Sequence, residues 1–293
     1  MARGFSNLAG STKIDRPVIV LAELADPIRE PGRIDMTDTA HNERILDQFT
    51  RQATPFSTAA TITDAAALRL IVETSGAGRE DTVLDVACGG GVVACGFAPH
   101  VARVTGIDMT PAMLARAAQH AESLGLKNLT WRQGDATQLP FPDASFSIVH
   151  TRFSFHHFLD PLAALKEMVR VCRPGGRVVV CDSQASTDSG KAAAFNKLEK
   201  LRDPSHVRCL SLPELKGLFS QAGLSQPREA FYELRDTVRN LLARSFPNPG
   251  DDAKITAMFE QHIDAGSLGI PPATREGTEI RYAYPVAILA AQR

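Results

Sequence analysis

Short apolar segments alternate with helical segments through the middle of the chain, and this alternation limits the fold more than any other feature. Five runs rich in Val and Ile are separated by stretches whose apolar residues recur at helical spacing. Because a strand, a helix and a parallel strand form right-handed units, we expect a parallel sheet with helices on both faces. The predicted strands are 82–87, 102–107, 128–132, 146–151 and 176–181, and the helices between them are 92–98, 111–124, 153–171 and 188–201.

Further elements are predicted on both sides of this region. On the N-terminal side, helices at 41–50 and 62–72 are joined through Thr54-Pro55-Phe56. On the C-terminal side, a helix at 211–222 ends at Gly223, which we expect to cap it. The remaining predicted elements are helices at 236–244 and 251–265 and strands at 228–234 and 282–290.

The chain has 293 residues, a length that fits either one large α/β domain or two small ones. Residues 1–38 hold several Gly and Pro residues that interrupt any helix, so we interpret them as an irregular N-terminal extension. Residues 39–293 are predicted to form one domain. Its cap is expected to come from about 41–75 and 190–275.

The composition excludes several classes of protein. Lys and Arg number 32 against 33 Asp and Glu, so no overall positive charge attracts nucleic acid or an anionic membrane. The five cysteines form no C-x-x-C pair, which argues against a zinc site and a disulfide framework and favours a reducing compartment. No apolar stretch is long enough to span a membrane or serve as an export signal, and we therefore expect a cytoplasmic protein.

An apolar strand runs into a glycine-rich turn between Val83 and Gly91. Glycines there let the backbone approach a ligand and leave the amide groups at the start of the next helix free to bind it. The spacing Gly89-x-Gly91-x-x-Ala94 also fits a dinucleotide fingerprint, with Asp108 about twenty residues further on. A nicotinamide-dependent oxidoreductase and a tight turn without a ligand are therefore both open alternatives.

Three acidic residues at the ends of the first three strands favour a different ligand. They are Asp85, which precedes the glycines, Asp108 and Asp135. Ligands of open parallel sheets bind beyond the carboxyl ends of the strands, so we expect these acids to converge on one cleft. The carboxylate of Asp85 would repel a pyrophosphate, whereas three acids suit a ligand with an amine, hydroxyls and an adenine amino group.

Five motifs follow one another within about 41–223: Asp85–Gly91, Val104–Met109, Gly134–Phe141, Phe146–Phe158 and Val171–Arg177. Taken in order, these motifs resemble those of the class I S-adenosylmethionine-dependent methyltransferases. The nearest branch is that of the ubiquinone and menaquinone biosynthesis C-methyltransferases and bacterial small-molecule methyltransferases, and Leu201–Arg208 resembles a segment of one bacterial subgroup. The resemblance implies a Rossmann-like, doubly wound, mostly parallel seven-stranded sheet with an antiparallel last strand and a helical cap.

The resemblance also implies S-adenosyl-L-methionine as cofactor and S-adenosyl-L-homocysteine as product. Asp85, Ala87 and Gly89 would line the methionine part of the cofactor, with Cys88 and Gly91 in the same turn. Ala87 replaces the first glycine of the commoner pattern. Since alanine is the smallest alternative, we expect binding to be retained with a slightly altered backbone approach.

The same resemblance assigns the adenosyl part to residues after the later strands. Asp108 would accept hydrogen bonds from the ribose hydroxyls, and Met109 would contact the adenine. Asp135 would accept from the adenine amino group, while the Ala136 N–H would meet a ring nitrogen. The carbonyl of Thr151 would receive the cofactor ammonium group.

The candidate catalytic residues are histidines. A methyl group on a sulfonium is already activated, so positioning supplies most of the rate, and a base is needed only where the acceptor loses a proton. His156 and His157 follow the fourth strand, and adjacent residues point in different directions, so we expect at most one to face the substrate. His206 is a third candidate; packing, capping or a surface position is the alternative for each. Phe49, Phe56, Phe153 and Phe155 are candidates for an apolar pocket wall or for ordinary core.

The sequence thus predicts an enzyme that transfers a methyl group by in-line displacement to carbon, oxygen or nitrogen of a small molecule. Arg152 follows the fourth strand at the cofactor cleft and is a candidate for the cofactor site; alternatively, it pairs with an acidic substrate or lies in solvent. A nicotinamide-dependent oxidoreductase and a non-catalytic cofactor-binding protein of the same fold are the alternatives. The sequence leaves the oligomeric state open, a homodimer included.

Overall fold

The computed structural model describes residues 36–293, with side chains from residue 39 onward. Residues 1–35, which hold most of the predicted N-terminal extension, lie outside the described residues. One mixed sheet organises the rest of the chain, with its strands in the order β3-β2-β1-β4-β5-β8-β6. The strands are β1 Thr82–Val86, β2 Arg103–Asp108, β3 Leu129–Gln133, β4 Phe146–Arg152, β5 Cys172–Ser183, β6 Arg228–Thr237, β7 Thr274–Glu276 and β8 Glu279–Gln292.

The sheet has the predicted architecture. Strands β1 to β5 pair in parallel, and β8 runs antiparallel to both β5 and β6. Nine α-helices surround it within the described part of the chain. They are α1 Met36–Ser57, α2 Ala65–Ser75, α3 Val92–Phe97, α4 Pro111–Ser123, α5 Pro161–Val171, α6 Ser189–Arg202, α7 Leu212–Gln221, α8 Val238–Arg244 and α9 Asp251–Ala265.

The two faces of the sheet are buried in separate hydrophobic clusters, because successive strand residues point to opposite faces. Val83 and Ile148 face the cluster that contains α2 and α3, whereas Leu84 and Val149 face the cluster that contains α5 and α7. All four of these side chains are fully buried. Covering both faces leaves the carboxyl edge of the parallel strands as the place where a ligand can reach them.

The first helix is longer than predicted. The expected link at Thr54-Pro55-Phe56 is wrong, since α1 continues through Pro55 to Ser57 and already begins at Met36. Pro55 lies in the last turn, and in the same turn Ser57 Oγ donates to Ala53 O at 2.6 Å. The helix packs on α4 and α8 and thereby lies over the sheet edge.

The structure differs from the prediction at two further places, the segment before α5 and a short strand near the C-terminal end. The helix expected at 153–171 is interrupted: Phe153 has a φ of 54°, a 3₁₀ turn covers Phe155–His157, and α5 begins only at Pro161. The cause is Asp160, whose side chain caps the helix by accepting from Ala163 N at 3.0 Å. The short strand β7, absent from the prediction, pairs with β8 as an eighth strand beside the seven in the main path.

The other predicted helices and strands are present with small changes of boundary. Gly223 follows α7 with a φ of 74°, the left-handed conformation expected of a glycine after a helix end. No helix within 36–293 has both the length and the apolar character required to cross a membrane. The helices before β1 and after β5 pack on the sheet and on one another, as α6 does on α9.

Candidate functional site

A cavity of about 670 Å³ lies at the carboxyl ends of β1, β2 and β4 and the loop after β3. It brings together the acids that follow the first three strands, as the sequence predicts. Four candidates, Gly91, Thr151, His156 and His206, are not on its wall. The candidates that do line it are Asp85, Ala87, Cys88, Gly89, Asp108, Met109, Asp135, Ala136, Arg152 and His157.

The glycine turn after β1 owes its shape to left-handed backbone conformations. Gly89 and Gly91 have φ values of 51° and 72°, and Ala87, which stands in the place of a glycine, has 52°. A Cβ on Gly91 would lie 2.7 Å from the Trp131 ring, so that glycine is required for packing. A Cβ on Gly89 would meet only Met113 Sδ, at 3.9 Å, and its outer side is open to the cavity.

Asp85 has an incomplete set of hydrogen bonds. Its side chain is 2% exposed, and Oδ1 contacts His150 Nδ1 at 3.1 Å. Oδ2 is sealed from solvent and has no hydrogen-bond partner within the part of the chain that the structure describes. A buried carboxylate oxygen without a partner is costly, and it therefore suits a ligand that brings a donor or a positive charge. His150 itself was not predicted, because nothing distinguishes it from other buried strand residues.

Asp108 connects the end of β2 to the glycine turn. Its Oδ2 accepts from Gly89 N and its Oδ1 from Thr110 N, both at 2.8 Å. Burial raises the pKa of Asp108, although these two backbone N–H groups work in the opposite direction. Asp135 is arranged similarly, because its Oδ1 accepts from both the backbone and the hydroxyl of Thr137 at 2.8 Å.

Thr151 and Arg152 close the end of β4. The hydroxyl of Thr151 donates to Val86 O at 2.7 Å, and the side chain is fully buried. The Arg152 guanidinium lies 5.0 Å from the centre of the Phe153 ring and donates through Nη2 to Ile62 O at 2.8 Å. Arg152 is thus held by the protein itself, in contrast to the solvated position that the sequence left open.

The three candidate histidines form one buried cluster, with ring centres 4.4 Å apart for His156 and His157 and 5.4 Å apart for His156 and His206. His156 Nδ1 contacts Asp182 Oδ1 at 2.6 Å. Burial acts to lower the pKa of His156, but the carboxylate of Asp182 outweighs it and the pKa is raised. His206 contacts Asn196 Oδ1 through Nε2 at 2.9 Å, and burial lowers its pKa.

His157 is the member of the cluster that reaches the cavity. Its Nδ1 lies 3.2 Å from Ser205 O, and its ring packs against Phe49 at 5.0 Å between centres. Burial, reinforced by the neighbouring His156, lowers the pKa of His157 to about 4. The ring is therefore neutral near pH 7. Of the adjacent pair, His157 lines this cavity and His156 does not.

Helix α1 lies in the region that the sequence assigns to the cap, and it supplies a wall of the cavity through residues that were not among the predicted candidates. His41, Asn42 and Ile45 line it together with Phe49, and His41 Nε2 contacts His157 O at 2.7 Å. Residues 41, 45 and 49 recur every four positions and so share one helix face, which was the only available signal. Of the predicted aromatic candidates, Phe49, Phe56 and Phe153 line the cavity, whereas Phe155 packs in the core.

Comparison with known proteins identifies the family. The family described as "Methyltransferase domain" matches residues 84–180. An uncharacterized methyltransferase, YcgJ of Bacillus subtilis (strain 168), is 40% identical over 52% of this chain and 60% of its own length. The demethylmenaquinone methyltransferase of Mycobacterium sp. (strain KMS) is 36% identical over 53% of this chain and 68% of its own.

A solved structure agrees. The crystal structure of the YcgJ protein from Bacillus subtilis superimposes with a TM-score of 0.71 and 30% identity, covering 78% of this chain and 98% of that one. This chain belongs to the class I S-adenosylmethionine-dependent methyltransferases. The sequence match to YcgJ spans 60% of that relative's length.

The cavity residues of this methyltransferase fit the cofactor of its family. S-adenosylmethionine carries a positive sulfonium and an ammonium group, and the unpartnered Oδ2 of Asp85 suits such a cation. The open side of Gly89 leaves room for a ligand against the backbone, where a side chain would intrude. Asp108 and Asp135 supply carboxylates on the same wall for hydroxyl and amino groups.

Proposed function

We propose that this methyltransferase binds S-adenosylmethionine in the cavity and transfers its methyl group to carbon, oxygen or nitrogen of a small molecule. The observation that carries the proposal is the buried, unpartnered Oδ2 of Asp85 beside the glycine turn, in a cavity that also contains Asp108 and Asp135. Three carboxylates on one wall favour a ligand rich in donors over a pyrophosphate.

In this proposal the residues of the turn and of the later strand ends divide the cofactor between them. Asp85, Ala87, Cys88 and Gly89 hold the methionine part, because all four line the cavity at the glycine turn. Thr151 and Gly91 do not line the cavity but support the residues that do. The Thr151 hydroxyl donates to Val86 O and so links β4 to β1, and Gly91 lets the turn pack on Trp131.

The adenosyl part is assigned to the residues after β2 and β3. Asp108 accepts from the ribose hydroxyls with the lone pairs that Gly89 N and Thr110 N leave free. Met109 contacts the adenine, and Asp135 and Ala136 meet its polar edge, since all three line the cavity. Arg152 contributes shape through its stacked guanidinium and its bond to Ile62 O.

The chemistry of the step needs little from the protein. The cofactor supplies a methyl group activated by the positive sulfur. The chain holds the acceptor in line with that group and excludes water, and α1 contributes to this by covering the cavity with His41, Ile45 and Phe49. We include α1, α2, α6, α8 and α9 in the cap of this domain, since they pack around the sheet edge or on one another.

A small-molecule acceptor is supported by the volume of the cavity and by the name of a relative. One relative is named demethylmenaquinone methyltransferase, and the acceptor in that name is a small molecule. A volume of about 670 Å³ lies within the range of small-molecule sites.

The direct test is calorimetric titration of the full chain with S-adenosylhomocysteine. We expect micromolar-range binding that Asp85→Asn weakens, because the variant keeps the shape and removes the negative charge. Asp264→Asn, an exposed aspartate outside the cavity, is the matched control and should bind as the wild type does. Absence of binding by the wild-type chain would refute the proposal. Incubation with methyl-labelled cofactor and cell extract then identifies the methylated product.

A further inference from the structure

A second, smaller space lies beside the cavity and shares part of its lining. The four apolar residues Phe49, Phe56, Ile62 and Phe153 border both spaces, and we name them the collar. Behind the collar lies a chamber of about 60 Å³. His157 borders both spaces as well, so a molecule that enters past the collar meets this ring.

The contacts of His157 determine which of its nitrogens carries the proton. Nδ1 lies 3.2 Å from the carbonyl oxygen of Ser205, which can only accept a hydrogen bond. Nδ1 also lies 3.3 Å from Ser205 Oγ, whose own proton goes to Asp203 Oδ1 at 2.5 Å, so this hydroxyl can only accept as well. Both neighbours therefore require a proton on Nδ1.

The opposite nitrogen of the ring is left as a free base. In a neutral imidazole with its proton on Nδ1, Nε2 carries a lone pair. Within the described residues Nε2 has no hydrogen-bond partner, and it is not among the polar atoms sealed from solvent. Burial and the neighbouring His156 lower the pKa of His157 to about 4, which keeps this lone pair unprotonated near pH 7.

The chamber already balances its own charges. Arg202 pairs with Glu199 at 2.7 Å and lies 4.0 Å from Asp203, and Arg244 pairs with Asp236. An anion in the chamber would therefore be repelled by the carboxylates, because the arginines that could attract it are already paired with them. A cation would face Arg202, Arg244 and the neighbouring His156 in a desolvated space. The arrangement disfavours a charge of either sign and favours a neutral polar group.

We propose that the acceptor is a neutral molecule with an apolar body and a hydroxyl group, held by the collar with its hydroxyl at His157 Nε2, which makes this chain an O-methyltransferase. The inference rests on the proposed function and names its substrate class. In the step, the acceptor oxygen forms a bond to the methyl carbon as the bond from that carbon to sulfur breaks, its electron pair staying on sulfur. The hydroxyl proton passes to Nε2, and solvent removes it after product release.

Asp203 and Ser205 act as positioning residues in this arrangement. Ser205 holds the His157 proton on Nδ1, and Asp203 orients Ser205 by accepting from both its hydroxyl and its backbone N–H, at 2.5 and 2.9 Å. Gln52 of α1 donates to the other oxygen of Asp203 at 3.3 Å. This gives a function to the segment Leu201–Arg208, which the cofactor site does not use.

The first test measures the proton position directly. Nitrogen-15 spectra of the histidine rings, with His157 assigned by its loss in His157→Gln, should show Nδ1 protonated and Nε2 bare between pH 6 and 8. Asp203→Asn should raise the fraction of the Nε2–H form, and Ser205→Ala should raise it less because the backbone carbonyl of residue 205 keeps its contact with Nδ1, whereas Asp264→Asn should not change it. A wild-type ring that is protonated on Nε2, or charged at pH 7, would overturn the inference. Because Ser205→Ala removes only a hydroxyl, it keeps the test informative if Asp203→Asn does not fold.

The second test measures the acceptor class with three matched probes. After calorimetry has established S-adenosylhomocysteine binding, the loaded protein is titrated with 2-naphthol, 2-naphthoate and 2-naphthylmethylammonium. We expect 2-naphthol to bind at least tenfold more tightly than either ion, and to shift the Nε2 signal of His157. Equal or tighter binding of an ion, or no binding of 2-naphthol, refutes this inference and leaves the proposed function standing. Failure of S-adenosylhomocysteine to bind refutes the proposed function instead.

Discussion

Single residues in the glycine turn carry strain that can be measured. Ala87 has a φ of 52°, and an alanine in the left-handed region costs about 1–2 kcal/mol. Ala87→Gly relieves this strain, but the greater conformational freedom of glycine in the unfolded chain offsets part of the gain in stability. We expect Ala87→Gly to raise the free energy of unfolding by up to about 1 kcal/mol, measured by urea denaturation.

The chain offers a matched control for this prediction. Ala144 also has a positive φ, 59°, but it is exposed and lies outside the cavity. Ala144→Gly should stabilise the protein to a similar extent and leave S-adenosylhomocysteine affinity unchanged, whereas Ala87→Gly should change that affinity. A loss of stability in both variants would show that neither backbone is strained.

Asp108 is the residue whose removal should weaken cofactor binding most plainly. Asp108→Ala removes the acceptor proposed for the ribose and leaves Gly89 N and Thr110 N without their partner. We expect a loss of roughly 1–3 kcal/mol in binding free energy, measured by calorimetry with S-adenosylhomocysteine. Asp135→Ala should weaken binding less, because Oδ1 of Asp135 bonds to Thr137 within the same loop. Unchanged affinity in Asp108→Ala would place the ribose elsewhere.

At the scale of elements, the end of α1 rests directly on the glycine turn. A Cβ on Gly90 would lie 2.6 Å from Ser57 Cβ and 3.7 Å from Ser57 Cα, so Gly90→Ala must displace one of the two elements. We expect Gly90→Ala to lower the free energy of unfolding by about 1–3 kcal/mol. Measurement by urea denaturation should be accompanied by a titration with S-adenosylhomocysteine, whose affinity should also fall.

A second substitution tests whether Ser57 is the cause. Ser57→Gly removes the side chain that the new methyl group meets, so the double variant with Gly90→Ala should be more stable than the sum of the two single changes. Additive losses would mean that the strain lies in the turn itself and that α1 is not displaced.

Sequence patterns predict the strands of this fold, but they fail where an element depends on tertiary contacts. The strands and the acids at their ends were predictable, because Asp85, Asp108 and Asp135 follow apolar runs whose parallel pairing brings the carboxyl ends together. The extension of α1 to Ser57 and its contact with the glycine turn were not, since Pro55 suggests a helix end and the contact with Gly90 is tertiary. The break before α5 could have been recognised from Asp160-Pro161, a common start of a helix.

For the site as well, the sequence alone could not identify which histidine of the cluster lines the cavity. Adjacent histidines indicated that at most one faces the cavity, but only the packing of residues 201–208 against the 3₁₀ turn identifies it. The Val207 N–H donates to His156 O at 2.8 Å, which brings the two segments together. Contacts between positions so distant in sequence depend on the fold and leave no local pattern.

For the whole molecule, the buried histidine makes stability depend on pH. The pKa of His157 is lowered from 6.5 to about 4, so the unfolded chain binds a proton that the folded chain rejects between these values. Stability should therefore fall as the pH decreases from 6.5 towards 4, by about 2 kcal/mol between pH 7 and pH 5 from this group. His206, whose pKa is also lowered, adds in the same direction.

Urea denaturation of the wild type and His157→Gln at pH 5 and pH 7 checks this prediction. The variant should lose less stability on acidification, because it cannot accept the proton in either state. His156, whose pKa is raised by Asp182, acts oppositely: its contribution is lost as the pH rises through its folded pKa. An equal loss in both proteins would show that His157 does not control the acid side.

The packing of the glycine turn on Trp131 gives the molecule its own optical reporter. Trp131 is the single tryptophan of the chain, and the backbone of Gly91 and Gly106 lies so close that a Cβ there would approach the indole to 2.7 and 2.5 Å. Any ligand that presses on the turn from the cavity side alters the surroundings of that one fluorophore. Occupancy of the cleft can thus be followed by emission from unlabelled protein, without ambiguity about which indole responds.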